Sequence, residues 1–554
     1  DLATGMRYYA FYGQDTWHAT NRLTLIYGLR YEIQPGATER FNRWSLFDLN
    51  LTSPLAQPTG LPLKGGFVYA NSSNRRLWET DFNNFAPRLG FAYKLTDKLV
   101  MRGGFGIFTM PAQALISFDS PGQDEGFSTS TSWVSSVGGG GLVPQDLVSN
   151  PFPNGKNQPT GTAGGAGTAL GQSLGQIWLK GPHPTGYQQN FSLNLQYELS
   201  PSRVLEVGYA GFRARKILYG NPSLNMDQLP GSFLSMGSAL DAQVANPFAG
   251  LITSGNLSGS TVPMNQLLRP YPQYADIEPA RSLPGAKANF DSLGIRFSQQ
   301  FKSGLTLLSS YQWSKTLDDA SEDQGWSIWN GQWRDYYNRR IEYSISSHDV
   351  PQSFVTSLVY DLPVGKGKKF GSNMGGIANS VVGGWQVASV LTFHSGLPLL
   401  TGAPGNSLGA YGFGRSAYNL VNAKLLKISS KSPMPDGGIQ WFNGCTKFLD
   451  GSTAGCVGNE LAAWTQPGDR EIGSAPRYVT QLRGDATRNT DLSLAKYFQL
   501  SERFKLQFRA DFLNAWNTPS FGGPDAFVSD GSFGQMFGTS NGPRNIQMAL
   551  KILF

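Results

Sequence analysis

Charged side chains are scarce in this sequence. Only 15% of its 554 residues are Asp, Glu, Lys or Arg, whereas soluble domains carry about 25%. The mean hydropathy is still −0.27, and the absence of any apolar run of about 18 residues excludes an ordinary transmembrane helix. The scattered net charge of +7 gives no support to nucleic-acid binding. Sparse charge with many aromatic residues is typical of a transmembrane β-barrel, and a large soluble β-solenoid or sandwich array is the alternative.

Cysteine and histidine are rare as well. The two cysteines, Cys445 and Cys456, lie in one loop rich in Gly, Asn and Thr. Two thiols this close in an exposed loop predict a disulfide formed in an oxidising envelope, and a pair of free thiols is the alternative. The four histidines are widely separated, without metal-ligand spacing. No nucleophile–histidine–acid group is recognisable, so no enzymatic activity is predicted.

The end of the chain carries the clearest pattern. Ile546, Met548, Leu550, Ile552 and Phe554 alternate with residues that are mostly polar. In a strand this alternation makes one face continuously apolar. Such a strand would leave an aggregation-prone edge in a soluble protein, whereas a closed barrel in lipid has no edge. We therefore predict the closing strand of an outer-membrane β-barrel, with Phe554 as the signal read by the barrel-assembly machinery.

The same alternation recurs in hairpins along the whole chain. Each hairpin joins two runs of about ten residues through a short polar turn, and together they give about thirteen strands. Long segments rich in Gly, Ser, Asn and Pro separate the hairpins, at residues 33–84, 110–186, 214–289, 316–348, 395–489 and 517–543. A compact soluble domain rarely tolerates six such loops. The predicted fold is all-β, a transmembrane antiparallel β-barrel with long extracellular loops and short periplasmic turns.

One of these loops begins with an acidic and aromatic group. Clustered carboxylates are the ligands that Ca²⁺ takes, and aromatic rings stack on sugars or peptides. A solvated loop, with its aromatic residues packed on the barrel mouth, is the alternative. The candidate ligand-binding residues are Asp318, Asp319, Glu322, Asp323, Trp326, Trp329 and Trp333.

The alternation also assigns charged side chains to the two faces of the strands. Five arginines fall on the inward, lumen-facing side, where hydrogen bonds are expected: Arg30, Arg88, Arg102, Arg296 and Arg509. Lys496 falls on the lipid side, beside Phe498, and is tolerated there only if its ammonium group reaches the membrane rim.

Several motifs occur in a fixed order along the strands. They are Tyr12-Gly-Gln-Asp-Thr-Trp17, Asn84-Phe-Ala-Pro-Arg-Leu-Gly-Phe-Ala-Tyr93, Arg102-Gly-Gly-Phe-Gly-Ile-Phe108, Tyr311-Gln-Trp-Ser-Lys-Thr-Leu-Asp-Asp319 and Tyr360-Asp-Leu-Pro-Val-Gly-Lys-Gly-Lys368, with residues 504–519 and 544–554. Together they resemble the β-barrel of Oar-like TonB-dependent transporters. The resemblance covers nearly all strand regions and little of the loops.

The resemblance implies an outer-membrane transporter that binds ligand at its extracellular loops and passes it through a gated lumen. By this resemblance, a complete protein would contain an N-terminal carboxypeptidase-regulatory-like domain, then a plug, and then the barrel. No plug or transducer-binding box is recognisable, and the sequence begins at Asp1 without a signal peptide. Residues 1–554 are therefore expected to be an N-terminally incomplete barrel, lacking the plug and roughly nine of about 22 strands.

The expected partners are outer-membrane lipid, an unidentified ligand and, through the missing part, a TonB-type energy transducer. No cofactor is expected beyond the Ca²⁺ of the acidic loop. A passive porin, or a surface-binding protein anchored by its barrel, is the alternative function. Because an incomplete barrel exposes unpaired strand edges in lipid, the isolated chain is expected to fold poorly and to take up no ligand.

Overall fold

The main element is an antiparallel sheet of thirteen strands that pair in chain order. The computed structural model describes residues 3–110, 124–137, 143–218, 225–279, 284–300, 304–319, 333–428 and 437–554. The strands are β1 (Tyr9–Thr20), β2 (Leu23–Ile33), β3 (Phe85–Lys94), β4 (Leu99–Thr109), β5 (Tyr187–Ser200), β6 (Arg203–Leu218), β7 (Pro284–Gln300), β8 (Leu305–Asp318), β9 (Gln352–Asp361), β10 (Trp385–His394), β11 (Thr487–Gln499), β12 (Lys505–Leu513) and β13 (Asn545–Leu553).

Continuous register gives the sheet two chemically different faces. Residues that oppose each other in antiparallel strands point to the same side. One row across β5 to β8 is Leu195, Val207, Ile295 and Tyr311, and the neighbouring row is Gln196, Glu206, Arg296 and Ser310. We call the sides that contain these rows the apolar face and the polar face. The predicted all-β fold and the strand count are confirmed.

Short and long connections lie at opposite ends of the sheet. Residues 21–22, 95–98, 201–202, 301–304, 362–384 and 500–504 join strands at the end that we call the turn end. Residues 34–84, 110–186, 219–283, 319–351, 395–486 and 514–544 join them at the other end, the loop end. β1 and β13 form the two edges of the sheet, and no pairing joins them within the described residues.

The long connections contain short elements of their own. Strand pairs are Thr4–Gly5 with Thr38–Glu39, Ser45–Thr52 with Lys64–Tyr69, Ser136–Val137 with Val143–Pro144, Ser173–Ile177 with Asp276–Pro279, Gln243–Ala245 with Thr261–Pro263, Pro398–Leu400 with Tyr478–Arg483, and Ile439–Gln440 with Gln535–Met536. Asn419–Leu420, Trp464–Thr465, Thr446–Lys447 and Thr453–Ala454 form a further small sheet, and Ser344–Ile345 pairs with β8. Helices span Ala56–Thr59, Met264–Leu267 and Gly376–Val382, and 3₁₀ turns span Gly165–Gly167, Gly231–Asp241, Arg339–Glu342, Ser407–Tyr411 and Ala423–Leu426.

Most of the hydrophobic core lies in these connections, and the buried apolar residues of the thirteen-stranded sheet are alanines such as Ala86, Ala214 and Ala286. The largest fully buried side chains include Trp44, Trp178, Trp333, Trp464 and Tyr274. One apolar cluster draws on three connections: Phe47, Phe67, Leu174, Ile177, Met226, Tyr274 and Ile277. The described parts of the long connections therefore fold against one another, and we call them the loop assembly.

The two cysteines belong to this assembly. A disulfide joins Cys445 and Cys456. Cys445 is only 2% exposed, and its backbone N–H donates to the Asn443 side chain at 2.8 Å. The expected exposed position is therefore wrong for Cys445, because the surrounding connections pack over it.

We expect the two faces to differ in their tolerance of charge. Phe508 lies in the row of Lys496 and Leu550 on the apolar face, and Gln507 points to the polar face. If the apolar face meets lipid, Phe508→Arg costs roughly 2–4 kcal/mol near the bilayer midplane, whereas Gln507→Arg is mild. The folded fraction of each variant in lipid is the measurement, and equal losses would contradict the assignment of faces.

We also expect the disulfide to form in the oxidised protein. It closes a loop between cysteines 11 residues apart, and a closure of this length stabilises by about 2–3 kcal/mol through the unfolded chain. Mass spectrometry of a non-reduced digest should recover the crosslinked peptides. Recovery of two alkylated thiols instead would reject the pairing.

Candidate functional site

Two adjoining cavities form a groove on the polar face. The cavity nearer the loop end has a volume of about 460 Å³, and its walls include Arg88, Phe108, Gln188, Asn190, Phe212 and Phe290. The cavity nearer the turn end has about 450 Å³, and its walls include Asn194, Glu206, Arg296, Ser310 and Gln312. Both cavities are bounded by Ser192 and Ala210. They are therefore consecutive parts of one depression, which we call the polar-face groove.

Small residues make the floor of the groove. Gly90, Gly104, Ser192, Ala210 and Ser292 face one another in register across β3 to β7. A Cβ at Gly104 would meet only the Leu89 carbonyl oxygen at 3.6 Å and Ser192 Oγ at 3.8 Å, which are ordinary contact distances. The groove thus exists because side chains are short there, and a larger side chain at Gly104 would occupy it.

Aromatic and hydrogen-bonding groups line the part nearer the loop end. The rings of Phe212 and Phe290 stack with their centroids 5.5 Å apart. The Arg88 guanidinium lies 4.7 Å from the centroid of the Phe108 ring. Gln188 donates to Asn190 Oδ1 at 2.6 Å. Apolar walls with a few polar groups are the usual composition of a ligand site, and this part offers guanidinium, amide and ring faces together.

The five arginines predicted to face the lumen all lie on the polar face by register. Each has a partner from the chain itself: Arg30 pairs with Glu32, Arg88 packs on Phe108, Arg102 donates to Gln196 at 2.6 Å, Arg296 lies 3.8 Å from Glu206, and Arg509 lies 2.9 Å from Asp511. These contacts run along or between neighbouring strands. The lumenal role of the arginines stays a prediction.

The acidic group that begins at the end of β8 is buried where it is described. Asp318 forms an ion pair with Arg477. Asp319 accepts the backbone N–H of Lys287 at 2.8 Å, and its carbonyl oxygen accepts the indole N–H of Trp333 at 2.8 Å. Burial raises the pKa of the Asp319 carboxyl. A solvated loop is therefore wrong for these three residues, whose polar groups are used to hold the loop assembly together.

The remaining candidates of that group, Glu322, Asp323, Trp326 and Trp329, lie outside the described residues. In the part of the chain that is described, no three His, Cys, Asp or Glu side chains come together as a metal site. Ca²⁺ and ligand binding by this loop stay predictions.

Sequence reasoning missed a buried ion network beside Asp318. Glu342 is fully buried, with Arg334 Nε at 2.8 Å and Arg415 Nη2 at 3.6 Å from its carboxylate. Burial alone would raise the pKa of Glu342, but the two guanidinium groups outweigh it and hold the pKa below its usual value. Burial also lowers the pKa of Arg415 to about 10. No periodic pattern marks these residues in the sequence, because they lie in irregular segments.

Comparison with known proteins identifies the family. The family model described as "Outer membrane beta barrel domain" matches residues 2–547. The chain belongs to this family. The barrel is therefore an outer-membrane protein, and its apolar face is the one that meets lipid. Within the described residues, no helix has the length and apolar character needed to cross a membrane.

Solved structures that match the chain include two receptors and a transporter. The ferripyoverdine receptor of Pseudomonas aeruginosa is 10% identical with a TM-score of 0.38, and the match covers 100% of this chain and 39% of the receptor. The ferric yersiniabactin uptake receptor FyuA from Yersinia pestis is 10% identical with a TM-score of 0.38, covering 99% and 46%.

The outer membrane transporter YddB from Escherichia coli is 8% identical with a TM-score of 0.38, covering 100% and 54%. The chain thus spans between 39% and 54% of the length of these three proteins. No curated protein matches the sequence.

We expect Glu342→Gln to loosen the loop assembly. Removing one partner of a buried ion pair leaves a buried charge uncompensated and costs about 3–5 kcal/mol. The folded-state pKa of Glu342 is lowered, so its stabilisation is complete above the ordinary value of 4.5 and is lost as the pH falls through the lowered pKa. Hydrogen exchange of loop amides should therefore separate the variant from the unmodified protein at pH 7, and the two should converge in acid.

Glu502→Gln, at an exposed position of the turn end, is the matched control and should leave loop exchange unchanged. Equal loop protection in Glu342→Gln and the unmodified protein at pH 7 would contradict the role of the network.

Proposed function

We propose that this barrel is the transport part of a TonB-dependent outer-membrane importer. Ligand binds at the loop end, which faces outward, and passes along the polar-face groove through a gated lumen toward the periplasm. The observation that carries the proposal is the groove itself, because it continues from the loop side of the polar face past the shared residues Ser192 and Ala210.

The chemistry of the groove suits passage better than permanent capture. Its deeper part contains Arg296 and Glu206, which lie 3.8 Å apart, and the Arg296 side chain is 57% exposed. Exposed ion pairs of this kind contribute little stability, so a passing ligand can exchange partners with them at small cost. The aromatic and amide groups nearer the loop end supply the first contacts.

The loop assembly provides a preorganised entrance. Its buried aromatic residues and the Glu342 network hold the connections in one arrangement before any ligand arrives, and preorganisation reduces the cost of binding. The ligand contacts of Glu322, Asp323, Trp326 and Trp329 remain part of this proposal. Gating and energy coupling would come from a plug and a transducer-binding segment, as the resemblance implies.

The test uses a full-length precursor and a pair of groove variants. Gly104→Trp would place an indole in the groove, whereas Leu293→Trp changes a residue of the apolar face that lines neither cavity. Periplasmic small molecules are profiled by mass spectrometry with and without the energy transducer. We expect some compounds to accumulate only with the transducer, to fall to the transducer-free level in Gly104→Trp, and to stay unchanged in Leu293→Trp.

Two outcomes would overturn the proposal in different directions. Accumulation that persists without the transducer would identify a passive porin. Binding of compounds at the cell surface without entry in any form of the protein would identify a barrel-anchored binding protein.

A further inference from the structure

The connection between β9 and β10 differs from the other connections at the turn end. Residues 362–384 contain a helix, Gly376–Val382, whereas the other five turn-end connections have no helix in their described residues. The segment includes Lys366, Lys368 and Lys369 and no acidic residue. We call it the basic hairpin segment.

The end of the helix is held on the apolar side of the barrel. Trp385 and Lys496 oppose each other in one apolar row. The Trp385 indole N–H donates to the Val381 carbonyl oxygen at 2.9 Å. The Lys496 ammonium donates to the Gly383 carbonyl oxygen and lies 5.5 Å from the centroid of the Trp385 ring. The segment is thus continuous with the lipid-facing surface. The Lys496 ammonium group, which is expected to reach the membrane rim, reaches this turn-end segment.

The lysine turn is fixed beside the helix. Asn379 Oδ1, from the middle of the helix, accepts the backbone N–H of Lys366 at 2.7 Å. Gly365 has a φ of 125°, and a Cβ there would lie 2.8 Å from Asn379 Oδ1 and 2.9 Å from Gly383 Cα. Only glycine permits this close approach. The lysines and the helix therefore form one unit.

Large apolar side chains of this unit are uncovered. Ile377 is 88% exposed, Val381 65% and Phe370 56%. Exposed apolar groups next to cationic groups are the composition of elements that lie in the membrane interface. The Lys369 ammonium lies 5.4 Å from the centroid of the Phe370 ring, so both kinds of group occur at the same place.

We propose that the basic hairpin segment is an interfacial anchor for anionic phospholipid. Ile377, Val381 and Phe370 enter the acyl region beside the apolar face, and the three lysines bind lipid phosphates at the turn end. Placing these phospholipids in the periplasmic leaflet rests on the orientation proposed above. Continuity with the lipid-facing surface and the absence of any acidic residue favour a lipid over a soluble protein as the occupant.

The first test measures depth in the membrane. The full-length protein is spin-labelled at Ile377→Cys and, as a control, at Ser372→Cys, an exposed polar position of the same segment. Both cysteines of residues 1–554 are in the disulfide, and any cysteine upstream of residue 1 is replaced by serine, so the introduced thiol is labelled alone. In nanodiscs of phosphatidylethanolamine and phosphatidylglycerol, we expect the label at 377 to be reached by oxygen and protected from a water-soluble nickel chelate, and the label at 372 to be reached by the chelate. Chelate access at 377 equal to that at 372 would overturn the proposal.

The second test measures lipid preference. Lys366→Gln, Lys368→Gln and Lys369→Gln are combined, with Lys98→Gln in another turn as the control, and the phosphatidylglycerol retained by the purified protein is counted by native mass spectrometry. Near an anionic surface each neutralised lysine lowers the affinity roughly fivefold, so retention should drop in the triple variant alone. Unchanged retention, or complete displacement of the lipid by inorganic phosphate, would overturn phospholipid binding. Neither test measures uptake, so a failure of the transport proposal leaves both results interpretable.

Discussion

The molecule depends on the antiparallel pairing of consecutive strands from β1 to β13, whose register shifts only near strand ends. Because side chains alternate, a slip of one residue in any pairing would exchange the two faces of every strand beyond it. The observed register keeps Arg88, Arg102 and Arg296 on one side, together with the small residues of the groove floor. The same register leaves Lys496 on the lipid side, which explains why its ammonium group must find a carbonyl oxygen at the membrane edge. The positions of the groove, the lipid-facing surface and the basic hairpin segment all depend on this one hydrogen-bond register.

The position of the hydrophobic core is a second consequence of this architecture. A single sheet with one face toward lipid and a polar groove on the other has no interior in which to bury large side chains from its connections. Trp44, Trp178 and Trp464 are instead buried among the connections themselves. Charged groups are buried with them, and Glu342 is balanced by guanidinium groups and not by water. The loop assembly is therefore organised like a small soluble domain resting on a membrane sheet.

The sequence predicts those features that a periodic environment imposes. Lipid on one side requires apolar residues at every second position, so the strands, their number and the shared face of the five arginines could be read directly. The loop assembly could not, because its contacts follow no period: Asp318 looks like an exposed ligand until Arg477, 159 residues away, is brought beside it. The seven-residue helix Gly376–Val382 is flanked by glycines and is too short to show a helical period in the sequence. The local sequence pattern therefore predicts the strands of the barrel, whereas the contacts of the loop assembly are seen only in the folded structure.

The loop assembly also dictates an order of maturation. Its hydrogen bonds join residues far apart in the chain, such as Gln273 with Lys64, 209 residues away, and Arg470 with Asp241, 229 residues away. Contacts of high sequence separation form only after the intervening chain is in place. The first long connection therefore packs in stages: Phe47 meets Tyr274 and Ile277 only after the chain has been made to residue 277. Middle connections are completed later still, since Asp241 receives its ion-pair partner only when Arg470, 229 residues further along the chain, has been made.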